Sequence, residues 1–486
     1  MAVRDSIWRV LSLFPAALAR AGLVNREQAE SAFDLAVPVM VIGGLRVLLR
    51  IADFLMVGLA LGDAAIAGLE LGFQYYFIGF GLSLAVSSGT ISVVSRLQGA
   101  DRPERANLAV KQSLWLALAI SVPLTVGAWV YAEPLVGILT ADPAAVDYGA
   151  TYLSIVMLSM APRFFSMVAA RALAGSADTR TPMYARLLTL PTNVVLNAVL
   201  IFGLGPIPSF GVAGAAIGTA VANALAAALF FWLLVSGDYA VALDLGGRQF
   251  DPGLVVEILR VGLPLAGMRL VQTLARFPFL FILGVLGTPA LAAYAIARRV
   301  MLLALMPAWG YSTAASTLVG QHIGAGDDDL AAAYGWQTLR IALATQLLIG
   351  AVIVLAARPI AVAFGTDHVG LTVSFIRLFG VVVAGFSISR TMRGGLRGAG
   401  DTRWPLYAMV VGSFLVRLPI ATLALPAGFA VTLLGVSLPV GLGLGFPAIY
   451  VAIVADFYVK AAVNTGRFRS GRWRGVARAS GLTGGD

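Results

Sequence analysis

The chain has no cysteine and only two histidines, His322 and His368. These absences exclude disulfide bonds, thiolate metal sites and cysteine nucleophiles, and leave too little histidine for a histidine-rich metal centre. Charge is scarce too, since 12% of the 486 residues are charged, whereas an ordinary soluble domain carries about 25%. What fills the chain is apolar: 59% of residues are hydrophobic and the mean hydropathy is +0.88. The apolar residues fall in continuous blocks, and about 20 such residues cross a hydrocarbon core of about 30 Å. Continuous blocks, unlike alternating ten-residue segments, select helices over a barrel. The expectation is an all-α integral membrane protein that is not an enzyme and carries no cofactor.

Apolar runs bounded by charge, Gly and Pro predict twelve transmembrane helices, beginning near Val37, Ala64, Ser113, Tyr148, Pro182, Ala213, Val261, Ala290, Ile341, Leu371, Pro405 and Leu434. Ahead of them, Arg4, Arg9, Arg20 and Arg26 are scattered among Trp8, Leu11 and Phe14. That pattern fits an interfacial amphipathic helix and lacks the unbroken apolar core of a signal peptide. The formal charge of +10 would suggest nucleic acid in a soluble domain, but here the basic residues flank the spans, so no nucleic-acid partner is expected. One side of the spans collects Arg96, Arg102, Arg105 and Lys111, then Arg163, Arg171, Arg180 and Arg186, and later Arg390 to Arg403 and Lys460 to Arg478; the other side holds Arg358 alone. This asymmetry predicts a multi-pass plasma-membrane protein with both termini cytoplasmic. The run Asp327 to Asp329 interrupts the basic side and reads as a solvated face.

An internal repeat organises the chain. Leu173-Ala-Gly-Ser-Ala-Asp-Thr-Arg-Thr-Pro-Met-Tyr184 recurs as Leu396-Arg-Gly-Ala-Gly-Asp-Thr-Arg-Trp-Pro-Leu-Tyr407, an offset of 223 residues. Pro38 with Pro264, Gly62 with Gly287, and Gly99-Ala100 with Gly324-Ala325 recur at offsets of 226, 225 and 225. Two six-helix repeats entering the membrane in the same sense are expected to be related by a pseudo-two-fold axis along its normal. The expected organisation is an interfacial segment at 1–36, an N-terminal lobe at 37–236, a cytoplasmic linker at 237–257, a C-terminal lobe at 258–462 and a basic cytoplasmic tail at 463–486. Parallel bundles facing a cleft suit transport by alternating access.

Asp53 near the end of span one, the Leu173 to Pro182 motif, Asn193-Val-Val-Leu-Asn-Ala-Val-Leu-Ile-Phe-Gly203 and Gly211-Val-Ala-Gly-Ala-Ala-Ile-Gly-Thr219 together resemble the multidrug and toxic compound extrusion (MATE) family. The resemblance covers about residues 33 to 463. It implies twelve helices in two lobes and export of cationic or amphipathic compounds in exchange for protons or sodium ions. It also implies that Asp53 is the ion-coupling acid, with Asn193, Asn197, Thr219 and Tyr152 around it. Asn197 stands where some members have Asp, and Gln272 and Phe386 stand where another branch has acids in spans seven and ten. Coupling is therefore expected only in the N-terminal lobe. Arg50, where many members have Asn, lies one turn from Asp53. A neighbouring cation lowers a carboxyl pKa and burial raises it, so the two effects oppose.

The bare residues allow more than one role for each of these positions. An ionisable group at membrane depth costs at least about 2.5–3.5 kcal/mol on insertion scales, which marks Asp53 as functional, though pairing with Arg50 alone would also hold it there. Asp53, Asn193, Asn197 and Thr219 supply hard oxygen ligands for a sodium ion; Asn and Thr also bridge membrane helices without any ligand. Glu70, Gln74, Arg50, Arg276, Asn223 and Gln272 are the candidate substrate contacts. Glu70 would suit a cation or pair with Arg46 or Arg50, whereas arginines lining a cleft would suit an anion. Met56, Met157, Met160, Met167 and Tyr75-Tyr76 could form an adaptable pocket or pack helices. Asp101, Asp178 and Asp401 read as partners that order loops.

The leading expectation is an ion-coupled exporter, acting as a monomer on small amphipathic or cationic molecules in contact with membrane lipid. A flippase for lipid-linked oligosaccharides or other anionic lipids is the alternative that would use Arg50 and Arg276. Gly99 to Arg105 loosely resembles a major facilitator loop, and the repeated Gly-x-x-Asp-Thr-Arg-x-Pro element argues against that family. An intramembrane transferase would need clustered acids, and Asp327 to Asp329 lie in a single loop without a partner.

Overall fold

The computed structural model describes residues 2–61, 63–140, 142–433 and 436–483; the side chains of 2–10, 50–55, 58, 61, 63, 64, 66, 431–433 and 436–439 also lie outside the description. After α1 (Ala2–Arg20), the first repeat runs through α2 (Arg26–Leu61), α3 (Asp63–Gly99), α4 (Pro103–Val130) and the short α5 (Ala132–Gly137), then α6 (Pro143–Met157), α7 (Met160–Gly175), α8 (Arg180–Phe202) and α9 (Gly211–Val235). The second comprises α10 (Pro252–Val285), α11 (Thr288–Ala304), α12 (Met306–Gly324), α13 (Asp328–Leu355), α14 (Ala357–Ala363), α15 (Val369–Gly398), α16 (Arg403–Val410), a π-helical turn (Val411–Arg417), α17 (Leu418–Thr422), α18 (Phe446–Arg469) and α19 (Trp473–Arg478). Among the described residues, counting α6 with α7, α11 with α12 and α16 with α17 as single spans gives six helices of membrane length in each repeat.

Both bent spans break where a proline follows. The α6–α7 pair turns by 50° and the α11–α12 pair by 43°. Pro162 lies four residues past Leu158, and a proline ring clashes with the carbonyl four residues earlier, so the helix reopens there. Pro307 lies two residues past the second break, at Leu305.

The repeat reaches into the helix caps. Arg102 N donates to Leu97 O at 2.9 Å and Asp327 N to His322 O at 2.9 Å, while Asp178 N donates to Leu173 O at 2.9 Å and Asp401 N to Leu396 O at 2.8 Å. Each pair closes the same six-to-one cap, which needs a left-handed residue just past the helix. Gly326 (φ 85°) and Gly400 (φ 83°) supply it in the second repeat, but Asp101 (φ 53°) and Ala177 (φ 67°) occupy the equivalent places in the first. Alanine pays roughly 1–2 kcal/mol for that conformation. Ala177→Gly is therefore expected to raise stability by up to about 1 kcal/mol, read as a higher denaturation midpoint in detergent; an unchanged or lower midpoint counts against the strain.

The chain divides into two compact units that do not coincide with the expected lobe boundaries. One comprises Pro38–Ala266 with Gly324–Gly326 and Leu482–Asp486; the other comprises Met1–Val37, Gly267–Ile323 and Asp327–Gly481. The segment expected as a cytoplasmic linker packs onto the first unit, where Lys111 Nζ donates to Gly246 O at 2.6 Å and Gln112 Nε2 to Gln249 O at 2.8 Å. Start residues near 252 also join that unit: Arg96, fully buried, bonds Glu257 at 2.9 Å. The segment before span one joins the second unit, with Phe14 against Phe33 at 6.1 Å.

The twelfth span starts later than its apolar run. Leu434 lies outside the described residues, and its flanks Ala430–Leu433 and Val436–Pro439 pair as antiparallel β1 and β2, with the helix opening only at Phe446. A short apolar run fits a strand as well as a helix, and Gly443 (φ 71°) and Gly445 (φ 57°) hold the intervening chain out of helix.

Candidate functional site

In the first unit, small residues bring α9 close to α8. A Cβ on Gly214 would sit 2.5 Å from Leu200 O, and one on Gly218 would collide with Asn197 Oδ1. That approach leaves Asn197 1% exposed and lets Asn193 Nδ2 donate to Thr219 Oγ1 at 3.3 Å. One turn along α9, Asn223 Nδ2 donates to both Tyr76 Oη on α3 and Ser159 Oγ at the α6–α7 break, each at 3.1 Å. The proline-linked bend thus presents a polar atom to the neighbouring helices. Tyr152 is buried against Gly72, whose Cβ would meet its ring at 3.0 Å.

Two half-buried arginines, counted by charge with the basic flanks, adjoin this polar set. Arg163 lies over the rings of Tyr76 (5.1 Å) and Phe80 (4.9 Å), and Arg186 lies over Phe230 (5.5 Å). A guanidinium is weakly hydrated and stacks on aromatic faces, so residues counted by charge as loop residues can be drawn into an aromatic lobe.

The expected site residues are only partly assembled. Asn193 meets Thr219, and Asn223 meets Tyr76 and Ser159. The side chains of Asp53 and Arg50 lie outside the described residues. Glu70 and Gln74 bond each other at 2.8 Å on an exposed face of α3, while Gln272 and Arg276 are exposed residues of the second unit.

The second unit holds a charge cluster that the charge count missed. Asp456 on α18 is 1% exposed and bonds Lys460 Nζ at 2.5 Å and Arg417 at 3.4 Å. Lys460 also donates to Ser413 Oγ at 2.9 Å, and Arg417 donates to Ala275 O at 3.1 Å over the Phe279 ring. The π turn that ends in Arg417 lies against this cluster, and a Cβ on its Gly412 would stand 2.7 Å from the Lys460 stem. An Asp–Lys pair spaced i to i+4 inside the last apolar run is the available signal; the charge count places Lys460 among the cytoplasmic flanking residues.

Three further acids bind arginine. Asp401, in the α15–α16 loop, bonds Arg467 at 2.6 Å; burial pushes its carboxyl up from the ordinary value and Arg467 pulls it back. Its repeat mate Asp178 instead accepts from Thr181 N at 2.9 Å. Asp328 and Asp329 are more than a solvated face, for they pair with Arg478 and Arg474 of α19. Among the described residues, no group of three or more acidic or histidine side chains could hold a metal ion.

Residues 38–199 and 264–423 match the MatE family profile. The chain is 28% identical over 449 residues to the probable multidrug resistance protein NorM of Thermotoga maritima, covering 90% of this chain and 92% of that one. It is 23% identical to the probable multidrug resistance protein YoeA of Bacillus subtilis, covering 89% and 93%. Among solved structures, a MATE in the bent conformation aligns with TM-score 0.82 at 23% identity, covering 93% of this chain and 97% of that one. A Pyrococcus furiosus MOP superfamily transporter, described as having a binding pocket of reverse polarity, aligns with TM-score 0.81 at 23% identity over 92% and 96%.

Proposed function

We propose, from the premise that this chain belongs to the MatE family, that it is a secondary exporter of amphipathic small molecules, driven by a proton or sodium gradient through alternating access. The observation that carries the reading is a polar set, Asn193 with Thr219 and Asn223 with Tyr76 and Ser159, that joins α8 to α9 and α9 to α3 and the α6–α7 break within the first unit. A buried polar group is stable only when bonded, and these bonds hold oxygen and amide groups of α3, α8 and α9 together inside the unit. Asp53 is the coupling acid in this reading. Either a proton on its carboxyl or a sodium ion shared with Asn193, Asn197 and Thr219 neutralises it, and the change of charge alters how span one packs. Tyr152 supports the same lobe from α6. Multi-pass insertion in the plasma membrane with both termini cytoplasmic follows from the basic flanks.

The test is efflux from proteoliposomes under an imposed pH or sodium gradient, with one cationic and one anionic amphipathic dye, for wild type and Asp53→Asn. One gradient is expected to drive efflux, with at least about a tenfold loss in Asp53→Asn, the rate equivalent of about 1.4 kcal/mol. Equal rates in the variant, or no gradient-driven movement of either dye, would sink the reading.

A further inference from the structure

Arg163 and Arg186 of the first unit have no part in the coupling reading, and their surroundings describe a ligand. Arg163 and Arg186 sit on spans four and five, where a cation is costly unless something offsets its charge. Among the described residues neither forms an ion pair with a carboxylate. Arg163 Nε is buried without a hydrogen-bond partner. The Arg186 guanidinium lies within electrostatic reach of both Arg163 and Tyr76, so like charges converge here and repel. Tyr76 adds a third donor: its oxygen already accepts from Asn223 Nδ2 at 3.1 Å, which leaves the O–H proton to be donated elsewhere. Three donors, two of them cationic, therefore meet beside the rings of Tyr76, Phe80 and Phe230. A guanidinium resting over a ring keeps its N–H groups in its own plane, where they form paired bonds to planar or tetrahedral oxyanions.

We propose that the first unit binds an anionic headgroup, a carboxylate, sulfonate or phosphate attached to an apolar body, with Arg163, Arg186 and the Tyr76 hydroxyl as its donors and the aromatic rings as its floor. The inference deepens the exporter reading by naming a substrate class of opposite charge to the cations first expected. It rests on that reading for its relevance to transport, but its test is equilibrium binding without a gradient, so a failure of Asp53 coupling leaves it untouched. The anion has two possible sources, a soluble amphiphile or an anionic lipid headgroup, with the same chemistry at the site.

The experiment is calorimetric titration of the full chain in phosphatidylcholine nanodiscs with naphthalene-1-sulfonate and, separately, with tetraphenylphosphonium. Wild type is expected to bind the sulfonate. Arg163→Gln and Arg186→Gln should each weaken it about tenfold or more, in keeping with removal of a charged hydrogen-bond partner. Tyr76→Phe should weaken it several-fold, and Arg163→Lys, which keeps the charge, should retain more affinity than Arg163→Gln. Tetraphenylphosphonium binding should not fall in any variant, which also shows that the lobe is folded. Phosphatidylglycerol mixed into the disc competes if the source is a lipid headgroup and is without effect if it is a soluble anion; both results support the site. Equal sulfonate affinity in wild type and both glutamine variants overturns the proposal, as does loss of the phosphonium in place of the sulfonate.

Discussion

Asp456→Ala is expected to destabilise the second unit by about 3–5 kcal/mol, because it strands two cations in the membrane interior. Asp456 is 1% exposed, and the Arg417 and Lys460 side chains are 14% and 11% exposed, so water cannot replace the lost carboxylate. The attraction within such a pair is large at low dielectric, but so is the desolvation it offsets, and the two nearly cancel while all three groups are present. Removing one partner exposes the desolvation term alone. The matching control is Asp456→Leu with Arg417→Met and Lys460→Met, which removes the charge altogether and is expected to be neutral or to stabilise by about 1–4 kcal/mol. Both are measured as shifts in the guanidinium unfolding midpoint in detergent. If the single variant unfolds like wild type, the cluster is not a buried ion pair.

Trp473→Ala is expected to cost about 3–5 kcal/mol, the range for emptying a packed aromatic site. Trp473 is fully buried, stacks on Phe468 at 4.9 Å and donates from Nε1 to Phe468 O at 2.8 Å. Phe468 packs in turn against Trp336 at 5.7 Å. The Arg474–Asp329 pair beside it contributes far less: the Asp329 side chain is 97% exposed, and exposed pairs contribute about 0–1 kcal/mol. Packing, not charge, therefore docks the tail. The loss should appear as local release of α19, read as rapid trypsin cleavage at Arg472 or Arg474, while Asp329→Asn stays resistant. Cleavage at equal rates in both variants would mean that charge holds the tail.

How far the sequence could be read follows from what each signal measures. Span number and repeat come from hydropathy and from motif identity, and both depend on residue type alone, so the twelve spans and the recurrence of Gly99-Ala100 as Gly324-Ala325 were within reach. The twelfth start was not, because a short apolar run fits a strand and a helix alike, and Gly443 and Gly445 at positive φ keep the chain out of helix ahead of Phe446. Asn193 with Thr219 became a pair only when Gly214 and Gly218 let α9 approach α8.

Charge was the least legible property. Counting Lys and Arg records where the chain crosses the interface, but a long basic side chain travels several ångströms from its own Cα. Arg163, Arg186 and Lys460 were assigned to flanks, yet the first two lie on aromatic rings and the third bonds a buried aspartate. By itself the sequence determined membrane insertion, duplication and family resemblance, since these are sums over many residues and tolerate local error. Which charges face one another was decided only by tertiary structure, because that depends on a few helix contacts and on rings and carboxylates brought together from distant parts of the chain.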